Sequence, residues 1–284
     1  MTAKTLVTAD GLSLQLQHWP TPEPARGTVL VVHGLGEHIG RYGALATRLR
    51  GAGWHVLGYD QRGHGWSGGA RGALPRADAL LCDLALVVDA ARASLPAPLV
   101  LLGHSLGGLL AARFVAGGID TTAAERAWVR DGVEALVLSS PALDPGLNAA
   151  QKLLLALLGR LAPHLAVGNG LDPAWISRDP AVVEAYVNDA QVHDRITPRL
   201  ARFIVDAGAT VRARAPRWRV PTLLLWAGSD RCVAPRGSRA FADAVPEALL
   251  EAHCFEPLAH EIFNEPEKAQ VMDVLVRWLE RRSA

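Results

Sequence analysis

Gly103-His104-Ser105-Leu106-Gly107-Gly108 is the stretch on which the reading of this chain turns. It follows a short apolar run at 99–102 and opens a helix-like run at 106–116. A strand that turns at once into a helix forces the corner residue into a strained backbone conformation. Glycine at 103 and 107 removes the side chains that would collide in so tight a corner. The serine between them is then presented at the end of a sheet. The following helix aims its N-terminus at it, which favours developing negative charge there.

The same alternation extends outward from this corner. Apolar runs at 28–33, 54–59, 135–138 and 221–226 each end at a turn signal: Gly34, Asp60, Ser139-Ser140-Pro141 and Ala227-Gly228. Runs without polar alternation suit strands covered on both faces, as in a parallel sheet. Helical patterns at 42–52, 76–94, 235–245 and 266–282 lie between or after them, mostly stopped by Gly or Pro. Strand and helix in repeated order predict βαβ units and an α/β fold with a mostly parallel, doubly wound sheet. Residues 12–18 alternate and predict an antiparallel edge hairpin with 6–8. From about 144 to 218 the rhythm breaks, with helices expected at 151–165, 179–188 and 197–214 and no strand. The expected organisation is a core domain of 1–143 and 219–284, with 144–218 inserted as a helical lid over the carboxyl edge of the sheet, where open α/β sheets bind ligands.

The bulk properties are compatible with this and exclude other classes. The chain has 284 residues, half of them hydrophobic and 20% charged, with a net charge of +1. That supports a buried core and offers no electrostatic reason to bind nucleic acid. Three cysteines, Cys82, Cys232 and Cys254, give no disulfide framework, and their spacings match no zinc site. Residues 1–7 lack the apolar region of a secretory signal, and no apolar run approaches the roughly 18–20 residues of a membrane helix. The chain is read as soluble and cytoplasmic.

A serine hydroxyl is a weak nucleophile at neutral pH and needs an adjacent base. Of ten histidines, His260 is the best placed: it follows an apolar run, sits after Pro257-Leu258-Ala259 and precedes the closing helix. His253 falls inside the expected last strand. The acid that orients the base should follow a strand between serine and histidine, because the chain order in such sheets is Ser, acid, His. Asp230, after the run at 221–226, fills that slot; Asp243, Glu261 and Glu265 are worse placed. The oxyanion of a tetrahedral intermediate needs donors. One is expected to be the N–H of Leu106, the other that of Leu35 in His33-Gly34-Leu35-Gly36-Glu37-His38. The polar, glycine-dense 60–68 stretch reads as a structural loop held by Asp60 and Arg62, and Cys232 as an inert thiol.

The string from His33 to His38 followed by Arg41-Tyr42, then 60–67, then 103–108, with Ala227-Gly228-Ser229-Asp230, His260-Glu261 and Asn264-Glu265, resembles the monoacylglycerol lipase and lysophospholipase-like branch of the α/β-hydrolases, a serine aminopeptidase S33-type family. The similarity spans roughly residues 11–279 and is loosest in the lid. It implies no metal and no organic cofactor. It implies a monoacylglycerol or similar single-chain ester as substrate, with Glu37, Arg41 and His104 near the head group. An internal ion pair between Glu37 and Arg41 that shapes the oxyanion loop is the alternative.

The expected function is therefore a serine ester hydrolase working through an acyl-enzyme on Ser105, Asp230 and His260. The alternatives are an amidase or aminopeptidase on the same three residues, and a non-catalytic hydrolase-like binding protein. The leucine-rich stretch 153–161 covers more than one helical stripe. It must bury against the body, a partner or, transiently, a membrane surface.

Overall fold

The computed structural model describes residues 4–22 and 24–282. The part of the N-terminal reading that falls on Met1, Thr2 and Ala3 lies outside them.

In chain order the elements are β1 (Lys4–Val7), β2 (Ser13–Trp19), β3 (Thr28–Val32), α1 (Gly43–Gly51), β4 (His55–Tyr59), α2 (Ala79–Ser94), β5 (Leu99–His104), α3 (Leu106–Gly117), β6 (Ala135–Ser139), α4 (Ala149–Leu161), β7 (Val167–Gly168), α5 (Pro180–Val187), β8 (Arg195–Ile196), α6 (Pro198–Arg214), β9 (Thr222–Ala227), α7 (Pro235–Ala244), β10 (Leu250–Phe255) and α8 (Lys268–Glu280). Eight strands form one sheet in the order β1-β2-β4-β3-β5-β6-β9-β10. β1 and β2 are the expected antiparallel hairpin, β2 pairs antiparallel with β4, and the remaining pairs are parallel.

The central strands are buried on both faces, and their side chains sort with the two-residue period of a pleated sheet. Val29, Val31, Val100, Leu102, Leu223 and Leu225 join the core under α1 and α8. Leu30, Val32, Leu99, Leu101, Leu136, Leu138 and Leu224 join the core under α2 and α3. From β3 the chain runs to β4 on one side and then to β5 on the other, so strand order reverses between β3 and β5. The crevice at that reversal is where open α/β sheets place their ligands. Gly34 and Ser105 follow these two strands.

Two details of the 144–218 segment differ from expectation. It contains a strand pair after all, the antiparallel β7–β8 bridge, whose two residues per strand are too short to leave a sequence period. α6 packs into the body of the fold. Thr197 caps it and Pro198 starts it, and its face of Leu200, Phe203, Ile204, Ala207 and Val211 joins the same core as α3. In the stretch before α6, Leu171, Ile176, Tyr186 and Val192 line a cavity together with Ser105. Among the described residues no helix is long and apolar enough to cross a membrane.

Candidate active site

Ser105 sits between β5 and α3 with φ 53° and ψ −118°, a conformation that side-chain-bearing residues avoid because it is strained by about 1–3 kcal/mol. The surroundings enforce it. A Cβ on Gly103 would lie 2.3 Å from the Gly107 carbonyl oxygen, and one on Gly107 only 2.1 Å from that of Val32. The Ser105 N–H donates to the Ser139 carbonyl at 2.9 Å, tying the corner to the end of β6. α3 packs this close to the sheet only because both positions are glycine.

His260 follows β10 in a buried loop, and its ring meets the carboxylate that follows β9: Nδ1 lies 2.7 Å from Asp230 Oδ2. The other carboxylate oxygen accepts from the N–H groups of Cys232 at 2.8 Å and Val233 at 3.0 Å. Burial works against a charged Asp230, but the His260 ring and these N–H donors outweigh it and hold the carboxyl below its ordinary range. Burial likewise pushes His260 down. Asp230, by charge and hydrogen bond, with Glu261 and Glu37, overrides it and raises the imidazole. Ser105 and His260 line one cavity of about 320 Å³. Among the described residues the Ser105 hydroxyl makes no hydrogen bond to the ring; such contacts often tighten only when substrate is bound.

The loop after β3 is clamped at its first peptide. Glu37 Oε1 accepts the Gly34 N–H at 2.6 Å. His33 Nε2 accepts the Gln61 N–H at 2.9 Å. The His33 proton therefore resides on Nδ1, which donates to the Gly34 carbonyl at 2.8 Å. Holding that carbonyl fixes the plane of the Gly34–Leu35 peptide and hence the direction of the Leu35 N–H, which makes no main-chain hydrogen bond among the described residues. Leu106 is the first residue of α3, a position where the N–H has no partner inside its own helix.

Arg41 contacts acids, not the cavity. It donates to Glu37 at 2.8 Å and, in a two-pronged grip, to Glu261 at 2.6 and 2.8 Å, with its guanidinium over the Tyr186 ring. Tyr42 donates to Glu37 at 2.7 Å. Arg41 thus makes the internal ion pair of the alternative, and it is not among the residues that line the cavity with Ser105. Burial would raise the Glu37 carboxyl, but the Arg41 guanidinium, helped by the Tyr42 hydroxyl, brings it down to about 2. Glu37 itself and His104 do line the cavity. Burial and the His260 charge lower His104 to about 3, so it stands beside His260 as a neutral ring, held by Ser139 Oγ at 3.0 Å.

Glu265, worse placed than Asp230 to orient the base, has another task. It is fully buried. It accepts from the Ala259 N–H at 2.8 Å, from Ser177 Oγ at 2.7 Å and from Arg178 N and Nε at 2.6 Å each. It thereby staples the His260 loop to residues 176–178, and the Ile176 carbonyl adds a bond from the Glu261 N–H. The only signal in the sequence was the Asn264-Glu265 pair. Asp60 and Arg62 fill the structural role expected of them: Asp60 receives the Ile39 and Trp66 N–H groups, and Arg62 pairs with Asp83 and Asp10.

The family model for serine aminopeptidase, S33, matches residues 23–267 of the chain. The chain is 32% identical over 280 residues to an abhydrolase domain-containing protein of Dictyostelium discoideum, covering 98% of this chain but 29% of that longer protein. It is 34% identical over 273 residues to a monoacylglycerol lipase of Mycolicibacterium smegmatis, covering 95% of this chain and 93% of that one. Among solved structures, the monoacylglycerol lipase of Paleococcus ferrophilus superposes with a TM-score of 0.82 at 35% identity, over 94% of this chain and 98% of the other.

Proposed function

The chain belongs to the serine aminopeptidase S33 family, and from that premise we propose that it is a serine ester hydrolase acting on monoacylglycerol-like single-chain esters. The observation that carries this reading is the Asp230–His260 contact opening onto the cavity that Ser105 lines. Ser105 Oγ attacks the ester carbonyl and His260 Nε2 takes its proton. The oxyanion is received by the N–H groups of Leu35 and Leu106. Collapse breaks the bond to the alcohol oxygen, and His260 returns the proton to that oxygen. Water then attacks the acyl-enzyme with His260 as base, releasing the fatty acid and restoring Ser105.

Glu37 and Arg41 act on this chemistry by holding the oxyanion loop, and Glu37 and His104 border the space for the alcohol. Most acids around the cavity are already paired, which favours an ester over a substrate anchored by a free amine; Asp172, which also lines it, has no ion pair among the described residues. Glu37 and Glu261 are paired with Arg41, Asp189 with His38 and Asp194 with Arg195. We assign residues 144–218 as the cap of a core formed by 1–143 and 219–284, with α6 as its anchor. The exposed leucines of α4 would meet aggregated lipid. Three free thiols fit a reducing compartment and a cytoplasmic working place.

A fluorophosphonate should label the protein but not its Ser105→Ala variant, and monoacylglycerol should release glycerol and fatty acid. Turnover of amides without esters would replace this reading with an amidase. Absence of labelling would replace it with a binding protein.

A further inference from the structure

Beyond catalysis, we propose that Asp230, Cys232 and His260 form an inhibitory site for a thiophilic divalent cation of the zinc class. The spacing of the cysteines carries no metal motif, but the fold assembles one. The turn that pins the Asp230 carboxylate does so through the Cys232 N–H, which brings that thiol beside the carboxylate and the ring. One oxygen of Asp230, Sγ of Cys232 and one ring nitrogen of His260 all lie within 4.8 Å of one another. Three protein ligands of mixed sulfur, nitrogen and oxygen type with an open fourth position is the pattern of exchangeable zinc sites. Tetrahedral bonds of the usual lengths would set these donors about 3.3–3.6 Å apart, so side-chain rotations of roughly an ångström close the site.

The donors also discriminate between metals. Magnesium and calcium take six or more oxygen ligands, whereas a thiolate with an imidazole selects softer ions. Cys232 and His260 both line the cavity that holds Ser105, so an ion has an entry path and a water from the cavity can complete its shell. Asp230 Oδ1 is held by two main-chain N–H groups, while among the described residues Oδ2 has only the His260 ring as partner. The oxygen facing the ring is therefore the one free to change partner. On binding, the Cys232 thiol gives its proton to solvent; an ion on Nδ1 also displaces the proton there, which moves to Nε2 of the same ring, whereas an ion on Nε2 takes up its free lone pair with no further proton lost.

Either ring nitrogen gives the same outcome for activity. An ion on Nδ1 replaces the proton shared with Asp230 and ends the orientation of the ring. An ion on Nε2 occupies the nitrogen that must receive the Ser105 proton. Binding does not depend on the ester-hydrolase reading; only the inhibition rests on it.

The experiment separates the two. The Ser105→Ala protein is titrated with Zn²⁺ by calorimetry and with Co²⁺ by absorption. One ion per chain is expected, with a thiolate-to-cobalt charge-transfer band, and both signals should be lost in the Ser105→Ala, Cys232→Ala double variant. With Ser105 intact, Zn²⁺ should inhibit ester hydrolysis reversibly to EDTA. The half-inhibiting concentration should rise at least about 10-fold in Cys232→Ala, since losing a direct ligand costs no less than losing an outer partner that orients one; Cys232→Ser serves if the alanine variant folds poorly. Mg²⁺ should do nothing. Binding that survives loss of Cys232, or that follows Cys254 or Cys82 instead, overturns the site. Zn²⁺ binding at Cys232 without inhibition overturns its overlap with the catalytic relay.

Discussion

α3 and α4 are built from nearly the same residues and end in opposite surroundings. α3, LGGLLAARFVAG, sinks almost every side chain between the sheet and α6. α4, AAQKLLLALLGRL, leaves Leu153, Leu157 and Leu161 at 64, 50 and 81% exposure. The difference lies in what stands next to each. Glycines at 107 and 108 let α3 touch the backbone of β3 and β5, so its burial is part of folding. α4 is secured locally, by an Asn148–Gln151 capping box, and holds out an apolar face that folding does not consume. A contiguous exposed apolar patch marks a binding surface. Apolarity is thus buried in packing at one helix and left exposed at the other, where the proposed contact with lipid would lie.

The largest expected effect lies in the Asp230–His260 pair that shares a site with the foot of α3. Asp230→Asn should lower kcat about 10⁴-fold while leaving the circular dichroism spectrum unchanged. It should also move the pH profile. His260 must be neutral to act as base, and Asp230 raises its pKa above the ordinary 6.5. The acid limb of kcat/KM should therefore lie above that value in the parent and move to lower pH in Asp230→Asn. An unmoved limb would detach Asp230 from the base.

Next comes the clamp on the oxyanion loop. Arg41→Met strands Glu37 and Glu261 in a buried setting, which should destabilise the fold by about 3–5 kcal/mol in urea titration. Removing the exposed Arg202–Asp206 pair on α6 should change stability by less than about 1 kcal/mol.

The helices can also be contrasted directly. Gly107→Ala puts a methyl 2.1 Å from a backbone oxygen and should cost more than about 2 kcal/mol. Gly159→Ala in α4, with nothing within 4 Å, should stabilise by roughly 0.5–1 kcal/mol. Equal responses would erase the distinction between the two helices.

The smallest effect on stability should accompany a selective effect on activity. Replacing Leu153, Leu157 and Leu161 with glutamine should shift stability within about 0.5 kcal/mol per site and leave hydrolysis of a short soluble ester intact. Hydrolysis of monoacylglycerol in vesicles should fall. Equal loss on both substrates would make α4 a structural element only.

The parts of the molecule that were legible in the sequence are those with local causes. The strand–glycine–serine–glycine–helix corner declares itself because its geometry forbids other residues at 103 and 107. Asp230 and His260 follow from the order in which strands deliver residues to one sheet edge. What was not legible depends on partners far apart in the chain. The Glu265 staple joins residues 87 and 88 positions apart, and neither end has a pattern of its own. The ion pair of Arg41 with Glu261 spans 220 positions, so the sequence left open whether Arg41 faced a head group or an acid. α6 has the same amphipathic period whether it covers a site or packs on α3.

The central claim is that His260, oriented by Asp230, activates Ser105. It is tested most directly by the rate of fluorophosphonate acylation, read by intact mass. A single adduct mapping to Ser105, formed in the parent and slowed at least about 10³-fold in His260→Ala with the fold retained, is the predicted result. Undiminished acylation of Ser105 in that variant, or an adduct on another residue, would contradict it.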